Sequence, residues 1–238
     1  MKPIISSIPQ EHYIAFLGIL QFQETVKQCI ADQQQFLRLK NTLANLQALC
    51  LPDEESPGCH VKRLLERCLH PRTIPPRSVA LMQCTVFAEH MVFSMPVTHA
   101  QVFWFLSAIT YAWCLLAELG LFLRGGVTTG WLTHTPAVVF GPGLTSASAL
   151  ASAQANFPRV GIDAALVARW APPERSLLRQ DEDGVYYIDI FHLPMFLQRR
   201  TRIHQHIYRG LLETQRDARD RYHWLATHVE LTAIARQP

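Results

Sequence analysis

SVALMQCTVFAEHMVFSM, Ser78 to Met95, contains two β-favouring runs, SVALMQCTV and HMVFSM, joined through Phe87, Ala88 and Glu89. That spacing predicts a tight hairpin made without the usual Asn-Gly or Asp-Gly pair, and it puts Glu89 at or beside the tip. An acid inside an otherwise apolar or small run is either a solvated turn residue or a ligand. Taken alone, the solvated tip acid is the more economical reading. Strand alternation sends the neighbouring His90 to the opposite face, and no base role is assigned to it.

Upstream, HYIAFLGILQF (12–22) is an apolar run of strand length, and from Gln23 to about Leu49 the pattern turns helical. Pro, Gly and acids make 51–60 a loop; VKRLLERCL adds a short helix before the breaker PRTIPPR. Downstream, Gln101 to Leu123 carries one charge in 23 residues and is long enough to cross a bilayer. Ser107, Thr110, Cys114 and Glu118 draw a polar stripe down one face, however, and Gly120 offers a stop, so a buried amphipathic helix over 98–119 is expected instead of a span. LFLRGGVTTGWL then reads as a strand, THTP as a turn, AVVFG as a strand, GLTSASALASAQANF as a helix and PRVGID as a strand. A Pro-rich joint at 171–173, an acidic turn DEDG, a strand VYYIDIF and one long helix from about Pro194 to Ala235 complete the chain.

This order predicts the α+β class: an antiparallel-rich, ferredoxin-like sheet with helices on one face. Residues 1–170 form the main domain, and 171–238 a strand-helix extension packed on it. With 238 residues, 49% hydrophobic and 17% charged, the chain can bury one sizeable core. A net charge of +3 is too mild to demand nucleic acid or an anionic membrane as partner. MKPIISSIPQEHY lacks an apolar signal region, so a cytoplasmic protein is expected. The six cysteines follow no disulfide framework, and Cys59, His60, Cys68 and His70 have no familiar zinc spacing. RGGVTTG is not a phosphate loop. The arginines of the tail (Arg199, Arg200, Arg202, Arg209, Arg216, Arg219, Arg221) interleave with Glu213, Asp217 and Asp220, which favours a salt-bridged surface helix over nucleic-acid binding.

The stretch FLRGGVTTGWLTHTPAVVFGPGLTSASALASAQANFPRVGID, 122–163, contains an Arg-Gly-Gly strand, a further Gly, a Phe-Gly-Pro turn, a helix and Pro-Arg-hydrophobic. In this it resembles class III nucleotidyl cyclases, and more closely the bacterial branch with the pyrimidine cyclases of anti-phage cyclic-nucleotide signalling. YIAFLGILQF is similar to that branch's first strand, YxAFLDxLGF, and DEDGVYYIDIF and RYHWLATHVE are similar to its DxDGxYxxD and K/R-Y-x-W-L. The resemblance implies a fold, a head-to-tail homodimer and a chemistry: a sugar 3′-hydroxyl attacks the α-phosphate while pyrophosphate leaves, two metal ions stabilising both oxygens.

In active relatives two aspartates hold those ions. The first-strand aspartate falls on Gly18; the hairpin aspartate, in Phe-Ser-Asp-Ser, falls on Glu89. One ligand is gone and the other lengthened, which Mg²⁺, with octahedral geometry at about 2.1 Å, tolerates poorly. Backbone groups of Phe16, Leu17 and Ile19 remain as implied nucleotide contacts. Thr145 and Ala149 stand where many class III cyclases carry Asn and Arg, and the acids expected of the bacterial branch at 146, 149 and 151 are absent. Arg124, Gly125, Gly126, Gly130, Gly141, Pro142, Pro158 and Arg159 survive as motif and scaffold. The expectation is a cyclase homologue with weak or absent catalysis that acts by nucleotide binding or dimerisation. Alternatives are an active uridylate or cytidylate cyclase using Mg²⁺ or Mn²⁺, and an interaction or nucleic-acid module using the arginine-rich tail. No catalytic residue is assigned.

Overall fold

A computed structural model describes residues 10–48, 82–97, 102–154, 157–170, 175–213 and 216–234. The hairpin forms as β2 (Gln83–Phe87) and β3 (His90–Pro96), closed by the two residues Ala88 and Glu89. Ala88 takes the positive φ, 46°, that a two-residue turn reserves for Gly. The first strand, β1 (Gln10–Ile19), lies between β3 and β4 (Leu123–His134), antiparallel to both, with Gly18 opposite His90 on one side and Arg124 on the other. Beyond β4 the sheet continues with β6 (Val160–Ile162), parallel to β4, then β8 (Tyr186–Ile188) and β7 (Leu178–Gln180). The order is β2-β3-β1-β4-β6-β8-β7, and β5 (Val139–Phe140) pairs with the end of β4. The segment after the Pro-rich joint thus adds strands to the same, mostly antiparallel sheet.

Alternation along β1 separates two buried surfaces. Ala15, Leu17 and Ile19 join the large core with Phe93, Phe105, Trp113 and Ile203, beneath α1 (Phe22–Ala31), α2 (Gln33–Ala48), α3 (Val102–Ala117), α6 (Pro194–Glu213) and α7 (Arg216–Ile234). Ile14, on the other face, packs with Val92, Leu132 and Ala147 beneath α4 (Pro142–Ala153). The expectation of helices on one face is therefore corrected: α4 covers the reverse side. Glycines permit it. A Cβ on Gly126 would stand 2.7 Å from the Ala151 nitrogen, and one on Gly130 would stand 2.7 Å from Gly143 Cα. The glycines of the Arg-Gly-Gly strand thus let a helix backbone lie directly on the sheet.

Three further expectations change. The predicted helix from Gln23 breaks at Asp32, whose Oδ1 accepts from the Gln34 and Gln35 amides at 2.9 and 3.1 Å and caps α2. α3 is buried nearly all round instead of amphipathic, and its polar stripe faces inward. The Ser107 and Thr110 hydroxyls donate to the Phe103 and Leu106 carbonyls at 2.6 and 2.9 Å, so neither hydroxyl is stranded. No helix among the described residues is long and apolar enough to cross a membrane. The single long C-terminal helix is two, α6 and α7, packed on each other, with Gly210 against the Tyr222 ring. β7 and the short α5 (Ala164–Arg169), capped by Asp163, were not anticipated.

Motif residues scattered over 66 positions of sequence meet at one buried point. Arg159, 3% exposed, pairs with Asp181 and Asp183 and donates through Nε to Gln154 Oε1 at 2.8 Å. Trp224 Nε1 donates to Asp181 Oδ2 at 2.9 Å, and the Trp224 and His228 rings stack. The Pro-Arg, Asp-x-Asp-Gly and Tyr-x-Trp-Leu patterns are thus one clamp that fixes α7 to β6 and the β7–β8 turn. A buried guanidinium needs such paired carboxylates to be tolerated.

Candidate functional site

β1 ends where it meets the β2–β3 turn: the Ile19 amide donates to the Glu89 carbonyl at 2.7 Å. The chain then reverses through Gln21, φ 60°, into α1. Gln21 and Ala88 are the two non-glycine residues of positive φ among those described, and they flank one opening. Strained backbone of this kind collects at working surfaces. The opening is a cleft of about 350 Å³ lined by Gly18, Ile19, Glu24, Glu89, His90, Arg124 and Arg221, along with the turn around Gln21.

The structure thus brings Gly18 and Glu89, 71 positions apart, to the same cleft. Glu89 Oε2 accepts from Gln23 Nε2 at 3.0 Å. His90 lines the cleft on the Gly18 face instead of pointing away, its ring 5.0 Å from that of Phe16 and stacked on Phe87 at 5.8 Å. The reason is that Glu89 is a turn residue, so strand alternation does not relate it to His90. Ile19 reaches the cleft, but its amide is taken by Glu89. Phe16 and Leu17 do not line it, lying inside the ladder between β3 and β4.

The donors present do not fit a two-ion clamp. Gly18 offers no side-chain oxygen, and a Cβ there would stand 3.4 Å from Arg124 Nε, so a guanidinium borders the space beside Gly18. Two divalent ions beside it would be repelled, and hard cations require converging oxygens. Among the described residues no three His, Cys, Asp or Glu side chains gather as a metal-binding group. Cys59, His60, Cys68 and His70 lie outside the described residues. Thr145, Ser146 and Ala149 are exposed on α4.

Arg221 is the cleft residue that sequence reasoning missed by treating the tail as one surface helix. The usable signal was its place in Arg-Tyr-x-Trp-Leu: Tyr222 and Leu225 are buried, and the Tyr222 hydroxyl donates to Gln21 Oε1 at 2.6 Å, which brings the second turn of α7 to the cleft. Elsewhere in the tail, Arg199 Nε donates to Glu118 Oε2 at 3.1 Å and Arg202 lies 3.6 Å from the same carboxylate, so part of the basic face is neutralised by the residue that follows α3. A second polar group, Ser94–His134–Thr85, runs from the buried Ser94 and His134 to the half-buried Thr85: His134 Nδ1 meets Ser94 Oγ at 2.8 Å and Nε2 meets Thr85 Oγ1 at 2.9 Å. With Ser94 1% and His134 5% exposed, it is structural. No protein-family model matches the chain, and no curated protein matches it.

Proposed function

We propose that the chain is a nucleotidyl cyclase homologue of the anti-phage pyrimidine cyclase type, with a ferredoxin-like core, that binds a nucleoside triphosphate and turns it over poorly or not at all. The observation that carries this reading is the meeting of the β1 end with the β2–β3 turn over one cleft. These are the two positions at which the resemblance places metal-holding aspartates, and they carry Gly18 and Glu89. The neighbour order β4-β1-β3-β2, with helices joining β1 to β2 and β3 to β4, supports the core assignment.

Cyclisation would join the sugar 3′ oxygen to the α-phosphorus, break the bond to pyrophosphate and pass the hydroxyl proton to a base. A bound pair of Mg²⁺ or Mn²⁺ ions supplies the charge that both oxygens need in such a reaction. This chain's own contribution is two guanidiniums at the cleft, which bind and orient phosphate oxygens without activating a hydroxyl. The proposed protein works in the cytoplasm as a homodimer, reading a nucleotide through binding instead of making a signal.

Incubation of the pure protein with each nucleoside triphosphate and Mg²⁺ or Mn²⁺ is expected to yield no cyclic nucleotide by mass spectrometry. Cyclic UMP or CMP that disappears in Glu89→Ala would sink this reading in favour of an active pyrimidine cyclase. That second reading is favoured by one observation: Glu89 keeps a carboxylate at the cleft. An interaction module working through the arginine tail is favoured by the half-exposed Tyr208 and the arginines beside it on α6. Partner binding left intact by charge reversal at Arg199, Arg200 and Arg202 would remove it.

A further inference from the structure

Resting on the nucleotide-binding reading, we infer that this cleft takes the polyphosphate group of a nucleotide without a divalent cation, its charge met by Arg124 and Arg221. A metal-dependent phosphate site converges carboxylates on the ion. Here β1 offers no carboxylate at Gly18, and the Arg124 guanidinium borders the space beside it. Arg221 arrives from a distant part of the chain, on a helix held to the β1 end by the Tyr222–Gln21 hydrogen bond.

Neither arginine forms a hydrogen bond or ion pair among the described residues. The cleft's two acids form no pair with them among the described residues: Glu89 is held by Gln23, and Glu24 is exposed in the first turn of α1. Both guanidiniums are partly withdrawn from solvent, which weakens their hydration and strengthens their attraction for an anion. Two planar forks facing one cleft match an oxyanion carrying several negative charges, because each offers paired donors to two phosphate oxygens. Mg²⁺ bound to a polyphosphate cancels the charge that these arginines read. The free anion therefore binds more tightly than its magnesium complex, the reverse of a two-metal site. Glu24 opposes the anion, so its removal strengthens binding.

The test is calorimetric titration of the full chain with inorganic pyrophosphate and with UTP, each in excess EDTA and in excess MgCl₂. Both anions are expected to bind in EDTA and to bind more weakly with Mg²⁺. Arg124→Ala and Arg221→Ala should each weaken binding by about tenfold, the size of a lost charge-assisted contact. Arg221→Lys should recover part of the loss, and Glu24→Gln and Glu89→Gln should each tighten binding in EDTA. Binding that requires Mg²⁺ or Mn²⁺ and vanishes in Glu89→Gln overturns the metal-free site and leaves the nucleotide-binding reading standing. Binding in EDTA that ignores both arginine changes also overturns it. No binding of either anion in either condition overturns the inference and the reading together.

Discussion

His134 shows how a single residue ties this fold to pH. Burial, reinforced by the nearby His12, holds its pKa down at about 4, and it stays neutral between the Ser94 and Thr85 hydroxyls. An unfolded histidine titrates near 6.5, so below that pH the unfolded chain binds a proton that the native chain refuses. Stability contributed by this neutral group is therefore complete above about pH 6.5 and is lost as pH falls to about 4, at roughly 1.4 kcal/mol per pH unit. Burial pushes His12, His204, His206 and His228 in the same direction. Urea denaturation of His134→Gln across this range should show a slope shallower by about one proton than that of the unsubstituted chain. An unchanged slope would mean that His134 already titrates normally. Of the cleft residues, Gly18 and Glu89 were legible because each sits inside a patterned strand or turn. Arg221 was hidden because seven arginines in one tail look alike until the fold decides which of them faces inward.

At the scale of elements, local pattern identified β1, the β2–β3 hairpin, α3, β4 and α4, with ends shifted by a few residues. It did not separate α6 from α7, since both carry the same mix of arginine, acid and aromatic residues. Their packing turns on Gly210, where a Cβ would overlap the Tyr222 ring. Gly210→Ala therefore sets two effects against each other. Helix propensity favours Ala by about 1 kcal/mol, whereas the overlap costs about 1–3 kcal/mol as α7 shifts. Overpacking should win, lowering the urea midpoint and, through the Tyr222–Gln21 contact, disturbing the cleft. A raised midpoint would show that the two helices separate at no cost. Gly126 and Gly130 play the matching part on the reverse face, where α4 lies directly on β4.

At the scale of the molecule, the β4–β5 ribbon carries Trp131, Val138 and Phe140, each more than half exposed. Exposed apolar residues on one ribbon are a natural meeting surface for the homodimer proposed above. Sedimentation equilibrium should show a dimer that falls to monomer when Trp131→Ser and Phe140→Ser are combined; a monomeric unsubstituted chain would rule the dimer out. The sequence by itself determined the hairpin, the first strand and the lack of a side-chain oxygen at Gly18, because periodicity and side-chain identity are local properties. Only the tertiary structure decided that α4 covers the second face, that Arg159 gathers three distant motifs, and that Arg124 and Arg221 share a cleft with Glu89. Those relations depend on distances between residues far apart in the chain, and packing of the whole sheet and its helices sets them.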